Sequence, residues 1–387
     1  MWAGNEEIAL KEIIEDYNAQ SDQYVIKSSM CDIAKQIAGM ASKNGPDVTD
    51  IVDNSVANLA SKGIIRPLDE YAATEPEMMS EFLPAAMRQC KYEEQLYGLP
   101  INCQTSRIYY NKKAFSDAGV EKLPETMEEF KKLIFDLTLV DDSGKIIQTA
   151  WPWTATLDYK GLVQLNGGHF YNEDMTEVTP DDPVMIEMLT MGQEYAEKFG
   201  VDNIRKFNAS LGNWISPQDP FFVGKQVMRS DGWYLTNYIE STGHGEDLDW
   251  GVFPLPTNEE NKGAGQISTS IFVVPTNGDN PDGAWDFLKY LMQPENMATL
   301  MCKFGNEPAR YSAAEQPVFE GKPAFQEFFA LSSNPNAVTF PGHAIESEYV
   351  QEINAAVDEV LALKVTPEEA MKEVKDKMQP ELDKANQ

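Results

Sequence analysis

Histidine is scarce in this 387-residue chain, with 3 in all, and cysteine is hardly commoner, with 4. Cys31, Cys90, Cys103 and Cys302 are irregularly spaced and form no CxxC pair, so Cys/His metal chemistry has little to build on, while disulfides are unsignalled. His169, His244 and His343 lie far apart in polar surroundings and read as ordinary loop residues rather than general bases. No stretch approaches the ~18 consecutive apolar residues of a membrane-crossing helix. A GxSxG elbow, a phosphate loop, an HExxH pair and a strand-linked GxGxxG are all missing. Positive charge is short as well: 31 Lys and Arg stand against 62 Asp and Glu, a net charge of −31. So negative a surface repels phosphate backbones and anionic lipid, which argues against nucleic acid and membrane surfaces as partners. The carboxylates leave room for a glycosidase-like acid pair, but nothing marks two of them out. Those in "NEEIALKEIIEDY" and "PEEAMKEVKDK" read as solvated helix faces.

What is present is enough for real cores: 42% hydrophobic and 10% aromatic residues over a length that calls for two domains. Met1 stands directly before Trp2 and an amphipathic helix, so the expectation is either a cytoplasmic chain or one whose export segment has been removed. "EEIALKEIIEDYNAQ" has helical spacing, "QYVIKSS" reads as a strand, "DIAKQIAGMASKNGPDV" as a helix and "DVTDIVD" as a short strand. That alternation predicts a parallel sheet with helices on its faces. Further along, Asn280 and Pro281 open a helix as N-cap and first residue, and Thr366 with Glu369 forms a capping box.

Polar-aromatic stretches sit at the expected strand exits, where open sheets bind ligands: "WAGNEE", "VDNS", "NCQTS", "SDGWY", "GQIST" and "GNEPARYS". Amides, carboxylates and indoles without a nucleophile or metal set describe a binding cleft rather than a reaction site. In "WPW", Trp151 and Trp153 are two apart and aim at one face of an extended segment, with Pro152 excluding a central strand. They are either core anchors or a stacking platform for a flat apolar ligand face.

Taken together, "NGPDVTDIVDNSVANLASKGIIRPLDEY", "YGLPINCQTSRIYYNKKAFSDAGV", "FFVGKQVMRSDGWYL", "GQISTSIFVVPTNGDNPDGAWDFLKYL" and "VLALKVTPEEAMKEV" resemble the extracellular solute-binding proteins of carbohydrate-uptake ABC transporters, the family of maltose-binding protein. One departure is that family members carry a full first strand before the position of Trp2. The resemblance implies an α/β, two-lobed periplasmic-binding-protein-like fold, each lobe a sheet flanked by helices. Residues 1–107 plus 268–309 would form the N-terminal lobe and 108–267 plus 310–387 the C-terminal lobe, with hinge crossovers near 104–110, 266–271 and 307–313. It implies a non-enzymatic, monomeric receptor with no cofactor or metal. That receptor would lie outside the cell, as a lipoprotein or in a periplasm. It would close on a neutral oligosaccharide between the lobes and deliver it to ABC permease subunits. A secreted glycoside-acting enzyme and a receptor for a cationic solute such as a polyamine are the alternatives.

Sugars offer apolar C–H faces and rings of hydroxyls, met by aromatic rings and by planar amides, carboxylates or guanidinium groups. On the resemblance, Trp233 falls where the family commonly places a stacking aromatic, and Asn54, beside Asp53, where it often places a hydroxyl-binding group. Helix capping is the plainer role for that pair. Trp151, Trp153 and Trp214 are further stacking candidates, each equally readable as packing. Asn5 and Glu6 occupy the first strand-to-helix exit; Gln104, Gln266 and Ser268 lie on crossovers, as ligand contacts or hinge structure. Glu307 and Arg310 flank the third crossover and would touch ligand or pair. The number of candidate tryptophans predicts a ligand of more than one ring, and the acceptor-rich set predicts a neutral one.

Overall fold

Short extended runs, most of them carrying β-branched or aromatic residues, make the strands of this computed structural model, which describes residues 5–42, 45–152, 159–245 and 247–387. The strands that frame the sites are β1 (Thr49–Val52), β2 (Gly98–Pro100), β3 (Gln104–Thr105), β4 (Arg107–Asn111), β5 (Met228–Asp231), β6 (Trp250–Phe253), β7 (Ile267–Ser268) and β8 (Ser270–Val273). The chain divides into two units. The first comprises Met1–Thr105, Ile267–Pro335 and Pro341–Glu346, and the second Ser106–Gln266, Asn336–Phe340 and Ser347–Gln387.

In the first unit β8 lies between β1 and β2 and runs antiparallel to both, with Ile271 opposite Ile51 on one side and Pro100 on the other. Ile271, Phe272 and Val273 are all buried, which fits a central strand covered on both faces. Helix Pro281–Leu291 packs nearby in sequence and starts as its residues dictate: the Asn280 side chain accepts the Gly283 N–H at 3.3 Å, and Pro281 takes the first position. Tyr17, on helix Asn5–Gln20, donates to Asp286 of that helix at 2.7 Å and sets its ring edge-on to Phe287 and Tyr290.

In the second unit β4 is central, between β6 and β5, again antiparallel. Tyr109 faces the core and donates its hydroxyl to the Gly232 carbonyl at 3.0 Å, while Tyr110, on the other face, packs on Phe115 and Phe253. The last helix, Pro367–Ala385, carries the expected capping box between Thr366 and Glu369.

Three expectations are corrected. "QYVIKSS" is not a strand: residues 21–32 are irregular, and the Asn18 side chain takes the place of a neighbouring strand by accepting from Ile26 N–H at 2.7 Å and donating to its carbonyl at 2.9 Å. The sheets are not parallel. Among the described residues every pairing of the framing strands is antiparallel, and parallel contact is confined to the isolated bridges Thr149–Gln226 and Gln266–Val338. The reason is topological, since β8 returns against β1 and β2 instead of following a crossover helix. Third, residues 310–335, expected in the second unit, belong to the first. Bridges from Arg310 to Phe82 and from Pro308 to Asn102 tie this segment down, and the chain leaves only after Pro335.

Gly98 tests this register. A Cβ there would stand 2.4 Å from Ile271 Cγ2 and 2.7 Å from the Phe272 carbonyl oxygen. Gly98→Ala is expected to lower stability by about 1–3 kcal/mol in a urea titration, the usual cost of overpacking. An unchanged midpoint contradicts the close approach of β2 and β8.

Candidate ligand-binding site

Side chains two apart on a strand share a face, so β5 brings Arg229 and Asp231 side by side. Both are buried, and the Arg229 guanidinium forms an ion pair through Nη2 with Asp231 Oδ2. Its other branch is met from the loop before the strand. Nη1 donates to both oxygens of fully buried Asp219, at 3.1 and 2.9 Å. Burial works against the guanidinium's charge, but the Asp231 and Asp219 carboxylates outweigh it and hold Arg229 more firmly protonated than an ordinary arginine. The phenol of half-buried Tyr234 is pushed well above its ordinary range by burial and by the neighbouring Asp231 charge.

Above this cluster stands Trp214. Its Nε1–H donates to Asp231 Oδ2 at 3.3 Å, its ring meets Tyr234 edge-on with centroids 6.0 Å apart, and the Arg229 guanidinium lies 5.9 Å from its centroid. The indole is nevertheless 59% exposed. Among the described residues it is the one tryptophan that is exposed, and it is held on a fixed polar base. What it offers is an apolar ring face with its polar edge already satisfied.

In the first unit the exit of β1 gathers four sequence candidates. The Asp53 carboxylate accepts from Asn54 N–H (2.8 Å), Thr269 N–H (3.0 Å) and the Gln89 amide (2.8 Å), and the Gln89 carbonyl oxygen in turn accepts from the Thr269 hydroxyl. Asp53 thus knots the end of β1 to the β7–β8 segment. Beside it, Asn54 is half-buried and accepts from Ser55 Oγ. Gln104 and Ser268 face each other across the β3–β7 ladder, Gln104 half-buried and Ser268 exposed. Gln266, half-buried in the second unit, bridges to Val338.

Other candidates are placed differently from the expectation. Trp151 is only 2% exposed and packs edge-on against Phe130, and Trp233 is likewise 2% exposed at the start of helix Tyr234–Thr242. Trp153 and the side chains of Asn5 and Glu6 lie outside the described residues. Arg310 is buried, bonded to the Met292 carbonyl and paired with Glu81, whose carboxyl is held below its ordinary range by the Ser312 hydroxyl and then by Arg310. Glu307 is fully buried rather than open to ligand: Oε2 accepts from Thr105 N–H at 3.4 Å, and Oε1 has no hydrogen-bond partner among the described residues. Two of the four tryptophans expected to stack on ligand, Trp151 and Trp233, are thus packed inside the protein. Asp219 was missed altogether, and Arg229 and Asp231, although inside the quoted motif "FFVGKQVMRSDGWYL", were given no role; their local signal is the i, i+2 charge pair in "MRSDGWY". Among the described residues no group of His, Cys, Asp and Glu is placed to hold a metal ion.

The family model for bacterial extracellular solute-binding proteins matches residues 4–298. The chain belongs to that family. It is 23% identical over 333 residues to the maltotriose-binding protein of Pyrococcus abyssi, covering 84% of this chain and 68% of the relative. With the arabinooligosaccharide-binding protein of Halalkalibacterium halodurans the identity is 25%, over 76% of this chain and 65% of the relative. Among solved structures, CpMnBP1 with mannobiose bound superposes with a TM-score of 0.83 at 25% identity, covering 98% of this chain and 97% of that one. The complex of CpMnBP1 with mannotriose gives the same score at 26% identity, over 98% of each chain. The fold is that of the two-lobed, maltose-binding-protein-like solute-binding proteins, as the motifs implied.

Glu307 sets a pH dependence in this solute-binding protein. Burial raises its carboxyl from the ordinary 4.5 to about 8. The folded state therefore holds this proton where the unfolded state has lost it, and the associated stability is full below pH 4.5 and is lost as pH rises toward 8. Glu307→Gln is expected to be more stable than the parent above that range, by roughly 2–4 kcal/mol, with the gap closing in acid. Thermal melts of both proteins across pH 4 to 9 check this, and parallel curves would refute it.

Proposed function

We propose that this protein binds a neutral oligosaccharide outside the cytoplasm, without transforming it, and delivers it to an ABC permease. The observation that carries the reading is Trp214: an exposed indole whose N–H is already bonded to Asp231, leaving a ring face suited to the C–H face of a sugar. Family membership supplies the receptor role, and relatives named for maltotriose and arabinooligosaccharide, with a solved neighbour that has mannobiose bound, supply the ligand class. Those ligands are short oligomers of neutral sugars, so ligand length rests on them and no longer on a count of tryptophans. The Asp53–Asn54 turn and the Gln104–Ser268 pair are the polar groups we assign to hydroxyl recognition in the first unit. In the family setting the receptor is periplasmic or held at the cell surface, and a lipid anchor suits the latter.

Titration calorimetry with mannobiose, mannotriose, maltotriose, an arabinooligosaccharide and spermidine tests the reading. We expect binding of at least one neutral oligosaccharide with no release of shorter sugars on prolonged incubation. Sustained turnover would establish a glycoside-acting enzyme instead, and binding of spermidine alone a receptor for cations. Trp214→Ala should weaken the bound sugar by at least about 2 kcal/mol, roughly thirtyfold, with an unchanged melting temperature. Trp151→Ala should do the reverse, lowering the melting temperature through lost packing.

A further inference from the structure

An exposed indole gains most from a ligand if its orientation is fixed beforehand, because no rotamer or loop freedom is then lost on binding. The segment carrying Trp214 is fixed in an unusual way. Ile215, the next residue, has φ +47°, in the left-handed region that a β-branched side chain rarely enters. Such strain persists only where surrounding groups over-determine it. Here two do. Asp219 Oδ2 accepts the Ile215 N–H at 2.7 Å, and the Tyr238 hydroxyl donates to the Ile215 carbonyl at 3.2 Å. The loop is also closed on itself: at Gly212 a Cβ would stand 2.0 Å from the Gln218 carbonyl oxygen.

Asp219 does more than hold Ile215. The same carboxylate accepts from the Phe221 N–H at 2.9 Å and neutralises Arg229, whose other branch orients Asp231, the acceptor of the Trp214 N–H. Two routes therefore run from Asp219 to the indole, one through the backbone of Ile215 and one through Arg229 and Asp231. Asp219 itself is 0% exposed, out of reach of anything that covers the indole face.

We propose that Asp219 is the positioning residue of the Trp214 platform: it sets the indole's orientation before ligand arrives, so affinity depends on a carboxylate the ligand never meets. This rests on the reading of Trp214 as a sugar-stacking surface.

A double-mutant cycle tests it, with mannotriose and maltotriose as probes and calorimetric affinity beside melting temperature as readouts. Asp219→Asn is expected to weaken binding about tenfold in the parent and by less than about twofold where Trp214 is already alanine. Adding Ile215→Gly to Asp219→Asn makes the left-handed conformation accessible without the clamp, and should recover part of the lost affinity. A purely structural Asp219 would give no such recovery. Should Asp219→Asn fail to fold, Tyr238→Phe replaces it, removing the hydroxyl that bonds the Ile215 carbonyl and His244 Nδ1, with an expected loss of about threefold that again vanishes in Trp214→Ala. Equal losses in the two Trp214 backgrounds, or none in either, overturn the positioning role while leaving sugar binding intact. A folded parent that binds neither trisaccharide, nor any sugar of the wider panel, overturns the functional reading and this inference with it.

Discussion

A guanidinium can sit among apolar side chains only where its charge is met at once and from fixed directions. Arg229 is in that position. Removing one partner from a buried ion pair costs about 3–5 kcal/mol, because the remaining charge is left without compensation. The two aspartates around it are therefore not interchangeable surface acids but conditions for closing the second unit. Asp231 comes from the strand itself, two residues on, and Asp219 from a loop that must fold back to reach it. Once that loop is brought back, its tip has little freedom left, and Trp214 stands on the tip.

This ordering explains why an indole remains in solvent. Burying a tryptophan is ordinarily favourable, as Trp151 and Trp233 illustrate, each 2% exposed. Trp214 has its polar edge tied down by Asp231 and one side closed by Tyr234, and the backbone that follows it is held in a strained conformation at Ile215. Strain and exposure at one place are both unfavourable to the free protein, and a bound partner covering the ring would offset the second.

Much of the architecture was legible because it is encoded locally. Asn280-Pro281 and Thr366 with Glu369 cap their helices through contacts three residues apart, which a sequence displays directly. The family motifs led to the fold for a similar reason, since each is a turn or strand end with restricted residue choices. The strand expected at 23–29 failed because Asn18, outside the run, supplies the hydrogen bonds that a partner strand would have taken. Among the tryptophans, sequence could propose candidates but not sort them. Trp233 lies in the better motif and is buried; Trp214 lies in the plainer one and is exposed, because exposure is decided by what packs over a residue from far along the chain. Asp219 was invisible for the same reason: its value comes from an arginine ten residues on in sequence and in another element.

The charge of the site follows from the same cluster. Arg229 is one cation between two carboxylates, so the base beneath Trp214 carries net negative charge, with both branches of the guanidinium already engaged. Arg310, the one arginine among the sequence candidates, is engaged with Glu81 and a backbone carbonyl. An anionic ligand approaching either would have to displace an existing partner in a desolvated setting, which is costly. The face of an indole is itself electron-rich and attracts the weakly positive edge of C–H groups. A ligand with C–H faces and hydroxyl donors meets acceptors and π density everywhere on such a surface, and nothing has to be unpaired to admit it. The neutral, hydroxylated ligand we propose is thus favoured by how the protein neutralises its own buried arginine, before any ligand is present.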